Sequence, residues 1–369
     1  MDPAIAARIP LVCRTKPPGT PLGTRIADLT ALTTQIPGAS HHDQVARACG
    51  TLNFAALIAS DTGLPDLATD LCWRQHAIFA EAEHLEPDIA VMGLMPIVNI
   101  ARLLIREGDG DAAYDVLQRL YRAAQARGTT SIRGHTVDLA PWTPTTDHHK
   151  KICTELWITL LIDGARALTR QGRWTEAAQA MAAHRGIGNR LLDGRQIKIM
   201  SLLEKSQTDE AIATIESTIP TEPWESTVAA LLLQTIRPEA SSSQKAVDRT
   251  MQETLTLVKQ PDPMTAVFRV RLAQTALDLP SSTGHTMNLR DALFDVAATD
   301  AYAARDVLDQ PHLRSQMRIW QEEHLAAVVA TAFLGVKTLP ASHRDTLDAS
   351  VRTAEHRLRV LFGRKPSRA

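Results

Sequence analysis

Four segments of this chain share one spacing, and that spacing limits the fold more than any other feature. They are TGLPDLATDLC (62–72), EGDGDAAYDVL (107–117), QGRWTEAAQAM (171–181) and KSQTDEAIATI (205–215). Each begins with a turn-forming residue: Gly63, Gly108, Gly172 or Ser206. Five positions later stands an alanine (Ala68, Ala113, Ala177, Ala211), and four beyond it an apolar residue (Cys72, Leu117, Met181, Ile215). Glycine takes positive φ without steric cost, so it lets a chain reverse after a helix. A small alanine lets the next helix approach closely, and the residue one turn on fills the core. The spacing predicts antiparallel helix hairpins.

Composition agrees with a helical, globular chain. Apolar residues are 44% and charged residues 22% of 369, which excludes global disorder. Aromatics are only 4%, and the abundant alanine and leucine lose little freedom in a helix. Helix-period segments follow one another, and no stretch alternates as a strand would. Residues 1–22 carry Pro3, Pro10, Pro17, Pro18 and Pro21 and are expected as an irregular arm. The helical repeat array is expected over 23–236, interrupted by an irregular loop at 128–149. A punctuated stretch at 237–243 then leads to a C-terminal helical region at 243–362 and a frayed tail at 363–369.

The last two alanines are 34 residues apart, after steps of 45 and 64. Thirty-four is the period of tetratricopeptide (TPR) repeats. Over 158–223 the chain resembles that family, with Gly172, Trp174, Ala177 and Met181 in one unit and Ala211, Ile215 and Pro223 in the next. The pattern is degenerate, because Arg195 replaces the family's early Trp and Ala165 its helix Gly. The resemblance implies an all-α fold of stacked hairpins in a right-handed superhelix, an α-solenoid. The first helix of each hairpin would line a concave groove that holds peptides.

Few constellations suggest chemistry. Asp147, His148 and His149, with Asp138 and His135 upstream, are metal-ligand types, yet adjacent histidines point in different directions. A helix capped by Asp147 or Thr146 accounts for them, and His41-His42 has the same explanation. Asp109, Asp111 and Asp115 lack the calcium-loop pattern, and the EGDGDAA glycines follow a helix rather than a strand. A tight helix-to-helix turn is expected there. Cys13, Cys49, Cys72 and Cys153 form no metal or redox motif and are expected as buried thiols. The six Trp residues are expected in packing. No catalytic residue, metal site or cofactor is expected.

The formal charge of −1 argues against a whole-chain grip on nucleic acid. The N-terminus matches neither a signal peptide nor an anchor, so a cytoplasmic protein without membrane contact is expected, and the excess of Arg over Lys with abundant Ala points to a bacterial source. Charge is patterned locally, however. Arg102 and Arg106 lie one turn apart, and so do Arg166 and Arg170 in a later hairpin, with Asn99 and Asp163 in matching positions. These six residues are the expected partner-binding set, their guanidiniums suited to carboxylate or phosphate groups. Asp163 and Glu107 are the internal carboxylates expected to offset them. Reversing Arg102 and Arg166 together is expected to abolish capture and spare the fold. The functional expectation is a noncatalytic scaffold or regulatory protein that binds a peptide or protein partner, an acidic one by this pattern, with oligomerisation open. The alternative is an enzyme or accessory subunit of a biosynthetic pathway with its site near loop 128–149.

Overall fold

A computed structural model describes residues 3–237 and 243–363. Its helices are, in order, α1 (Pro3–Ala6), α2 (Leu22–Leu32), α3 (His41–Asp61), α4 (Pro65–Ala80), α5 (Pro87–Glu107), α6 (Gly110–Gln125) and α7 (Thr146–Thr159). A π-helical turn at Leu160–Gly164 joins α7 to α8 (Ala165–Thr169). Then come α9 (Trp174–Ala183), α10 (Asp193–Glu204), α11 (Thr208–Glu216), α12 (Pro223–Ile236), α13 (Gln244–Val258), α14 (Ala266–Leu277) and α15 (Thr283–Ala297). The last are α16 (Ala301–Leu308), α17 (Pro311–Arg314), α18 (Ile319–Thr331) and α19 (Ala341–Leu361). Among the described residues the regular structure is helical apart from one two-stranded hairpin, β1 (Thr129–Ile132) and β2 (His135–Asp138).

The shared spacing has one structural meaning at all four places. Gly63, Gly108, Gly172 and Ser206 all have left-handed backbones, with φ of 82°, 89°, 72° and 59°. The N-caps of the following helices are Leu64, Asp109, Arg173 and Gln207. Each alanine therefore sits four residues past an N-cap, and all four are completely buried. Three of the turns close the preceding helix with the same bond: Leu64 N–H to Ala59 O, Asp109 N–H to Leu104 O and Gln207 N–H to Leu202 O. A side chain larger than alanine at these crossings forces the backbones apart. Ala177→Leu and Ala211→Leu are each expected to lower stability by about 1–3 kcal/mol. Urea midpoints check this, and unchanged midpoints would place both alanines away from a crossing.

The described chain divides into two compact units. The first comprises residues 22–171 and 333 onward; the second comprises the segment up to Pro21 and residues 172–332. Most of the expected 237–243 boundary lies outside the described residues, as does nearly all of the 363–369 tail. The N-terminal arm is part of the second unit, and α19 is part of the first rather than of a separate C-terminal region.

Within the first unit, α3 packs on α4, α4 on α5, α5 on α6 and α6 on α7. Alternate helices are also neighbours, α3 with α5 and α5 with α7. α19 packs along α3 and α2, and its Glu355 accepts from Arg74 Nε of α4 at 2.8 Å. One continuous core runs through these helices, with Leu52, Ile58, Leu71, Phe79, Leu94 and Ile97 almost fully buried. α5 is long and apolar enough to cross a membrane, but two thirds of its apolar window is buried inside the protein. That apolarity is explained by core packing on several sides.

Two expectations change. The loop at 128–149 is not wholly irregular: β1 and β2 pair antiparallel, from Thr129 with Asp138 to Ile132 with His135. Arg133 and Gly134 both have positive φ, the two-residue turn whose twist suits a hairpin. Four-residue strands are too short to reveal alternation, which is why the periodicity missed them. Helical periodicity predicts one helix over 289–306, but the segment is split between α15 and α16, because Asp300 caps α16 by accepting from Ala303 N–H.

Candidate functional site

All six residues of the expected binding set lie along one strip of the first unit, in two hydrogen-bonded groups with Arg170 beside them. α5 brings Asn99, Arg102 and Arg106 to one face through their spacings of three and four. Arg102 donates through Nε to Asp163 Oδ2 at 2.9 Å and through Nη1 to Asn99 Oδ1 at 3.2 Å. Asn99 donates in turn to Asn53 Oδ1 of α3 at 3.2 Å. Arg166 approaches the other oxygen of Asp163 at 3.4 Å. Arg170 donates to the Ile105 carbonyl in the last turn of α5 at 3.1 Å, beside the Gly108 N–H that also bonds it.

Asp163 sits in the π-helical turn and is 2% exposed. Such turns are rare and occur frequently at functional sites. A carboxylate this deeply buried is held by paired, hydrogen-bonded cations. Arg102 and Arg166 meet that requirement while keeping 42% and 49% of their own side chains exposed.

The second internal carboxylate is Asp61 rather than the expected Glu107, which is exposed. Asp61 ends α3 and is buried. It accepts from Arg25 of α2 at 2.6 Å and from Arg106 at 2.9 Å, and Arg106 also donates to Ser60 Oγ at 2.8 Å. Sequence spacing missed Asp61 because it pairs with a helix 45 residues away, outside any local pattern. The strip thus holds two Arg–Asp–Arg groups, with Arg170 beside them. Arg25 is buried, so the guanidiniums of the strip that reach the surface are those of Arg102, Arg106, Arg166 and Arg170.

The loop histidines have structural duties. Thr145 caps α7, one residue before the expected position, by accepting from His148 N–H. The His148 ring bonds Thr145 Oγ1 through Nδ1 at 2.7 Å and the Leu85 carbonyl through Nε2 at 2.8 Å. Both ring nitrogens are engaged, and the ring ties α7 to the α4–α5 link. His148 also lines a pocket of about 400 Å³ with His41, His84, Glu86, Ile89 and Phe362. Among the described residues no group of His, Cys, Asp and Glu is placed to hold a metal.

In the same region His135 of the hairpin stacks on Trp73, with ring centroids 4.0 Å apart. His76 lies edge-on to Trp73 and Trp142. Burial pushes its imidazole down to about 4, with His135 adding to the shift and a bond to the Gly93 backbone opposing it. Burial likewise pushes the Cys49 and Cys72 thiols up to about 12, which leaves them unreactive, while Cys13 and Cys153 are only half-buried. Trp142, Trp174 and Trp224 are core residues, and Trp320 is exposed. Asp109 caps α6 and Asp115 pairs with Arg119, so EGDGDAA forms the expected tight turn.

The second unit presents a different surface. Arg195 is buried and donates to the Thr214 and Gly188 carbonyls and to Ser217 and Thr218, clamping α10 to the end of α11. Residues 9–20 form neither helix nor strand. They run past the N-terminus of α10, the start of α14 and the N-cap of α16, bonded at each place.

Comparison of the chain with family models, curated proteins and solved structures returns no match.

Proposed function

We propose that this chain is a noncatalytic, TPR-like scaffold or regulatory protein that captures an acidic peptide segment on the arginine strip of its first unit. The observation that carries the reading is the pair of Arg–Asp–Arg groups. Each buried carboxylate fixes two guanidiniums in place, while Arg102, Arg106 and Arg166 keep 42%, 39% and 49% of their side chains exposed. A guanidinium held at one edge retains donors on its other nitrogens, and a preordered fork loses less entropy on binding. The strip spans α3, α5 and the α7–α8 region, alternate helices of the hairpins, as a concave peptide-binding face would require.

The test variant must leave the buried pair intact. Arg166→Gln with Arg170→Gln keeps the 2.9 Å Arg102–Asp163 contact. Exposed charges contribute about 0–1 kcal/mol to stability, so the fold should survive. The probe is a labelled ten-residue peptide alternating Asp with Ala, followed by fluorescence anisotropy. Saturable binding to the unaltered chain is expected, weakened at least about tenfold in the variant and by added salt, since exposed charges are screened within about 8 Å at physiological ionic strength. Equal affinity for variant and unaltered chain would reduce the strip to a solvated helix face.

A further inference from the structure

We infer that the face built by α10, α14 and α16 is a receptor for a basic, non-helical peptide segment of a partner protein, and that the chain's own residues 8–20 are its exchangeable resident. The grip on the resident follows the logic of peptide recognition. Gln196, completely buried in α10, accepts from Leu11 N–H at 2.8 Å and donates to Leu11 O at 2.9 Å. One side-chain amide thus satisfies both backbone polar groups of one residue, whatever side chain that residue carries. Lys16 N–H donates to the Met264 carbonyl at 2.8 Å. Gly19 N–H donates to Asp300 Oδ2 at 2.7 Å, and Gly19 O accepts from Ala301 N–H. A Cβ at Gly19 would lie 2.9–3.1 Å from Tyr302 and Ala301, so the backbone must come close there.

The side chains define the class of segment. Arg8 pairs with Asp278 at 2.6 Å, Arg14 pairs with Asp193, and the Lys16 ammonium lies 3.4 Å over the Tyr302 ring. Leu11, between the two arginines, is 1% exposed. The preferred pattern is therefore Arg, then an apolar residue three on, then Arg three further, with Lys two beyond. Every charged contact places a cation of the segment on an acidic or aromatic group of the face. This charge is opposite to that expected of a ligand for the arginine strip.

The resident is an imperfect fit. Arg8 is buried, yet its Nε and Nη2 have no hydrogen-bond partner among the described residues. Buried unpaired donors weaken a contact, so an intruding segment that satisfies the same carboxylates competes on favourable terms. Its opponent is effective concentration, since a tethered arm acts at millimolar levels.

The probe is a labelled synthetic peptide of residues 7–20, titrated into the full chain under reducing conditions. Arg8→Ala with Arg14→Ala in the chain loosens the resident, and peptide affinity should rise at least about tenfold. Adding Gln196→Leu should remove that gain. Amide hydrogen exchange on the unaltered chain gives a measurement independent of the variants: Leu11, Lys16 and Gly19 should exchange as a group before α10 and α14. No saturable binding to a helical Arg8→Ala/Arg14→Ala chain would overturn the proposal. So would arm amides that exchange only when α10 does. Concentration-dependent dimerisation of the loosened chain without peptide would assign the face to a second copy and overturn the assignment to a partner.

Discussion

Reversing Arg102 and Arg166 together to Glu is expected to destabilise the first unit by about 3–5 kcal/mol, the range for an ionic pair broken inside a protein. Asp163 is 2% exposed and its oxygens face these two guanidiniums. The double reversal removes both cations and sets two new carboxylates beside a third that water cannot reach. The expectation from sequence alone, that this change would spare the fold, treated both arginines as freely solvated. The arginines are half exposed, but the carboxylate they share is not. Adding Asp163→Asn to the double variant should recover most of the lost stability, since the uncompensated charge is then gone. Urea denaturation of the three chains measures this. A double-reversal chain as stable as the unaltered one would mean that Asp163 does not depend on the strip.

Acid should destabilise the same unit through His76. Its imidazole is held neutral in the fold, at about 4 against an ordinary 6.5. Below 6.5 the unfolded chain takes up a proton that the folded chain refuses. Stability is therefore fully present above about pH 6.5 and is lost as pH falls towards 4, by roughly 3 kcal/mol in all. The groups around His76 are Trp73, Trp142, His135 and the Gly93 backbone, and no carboxylate among them favours the cation. His76→Phe keeps a ring between the two indoles and removes the titration. Its urea midpoint should stay nearly level between pH 6.5 and 4.5, where that of the unaltered chain declines. Parallel declines would assign the acid sensitivity to other groups.

The parts of this fold that were legible in the sequence are the local ones. A glycine or serine with a left-handed backbone, followed five residues on by a buried alanine, is set within one turn and two helix ends. That pattern held at Gly63, Gly108, Gly172 and Ser206 alike. The strip was half legible for the same reason, since Asn99, Arg102 and Arg106 recur 64 residues later as Asp163, Arg166 and Arg170. Asp61 escaped because it comes from the end of a different helix, and Arg25 because α2 carries no copy of the signature. The assignment of the arm and of α19 to their units depends on pairs such as Arg8–Asp278 and Arg74–Glu355, some 270 and 281 residues apart. No periodicity encodes partners at that distance. The hairpin at 129–138 was readable only from its turn, where Arg133-Gly134 joins two short runs of β-branched residues.

The central claim, that the arginine strip is a capture surface for acidic peptide, is tested most directly at the guanidiniums themselves. Arginine Nε–H resonances of the full chain, assigned by single Arg→Lys substitutions, report contact at each site. Titration with the Asp-Ala peptide should shift Arg102, Arg106, Arg166 and Arg170 along one saturation curve. Arg249, which is exposed on α13 and pairs with Glu253 of the same helix, should stay in place. Uniform small shifts at all of these arginines, or movement of Arg249 alone, would contradict the account.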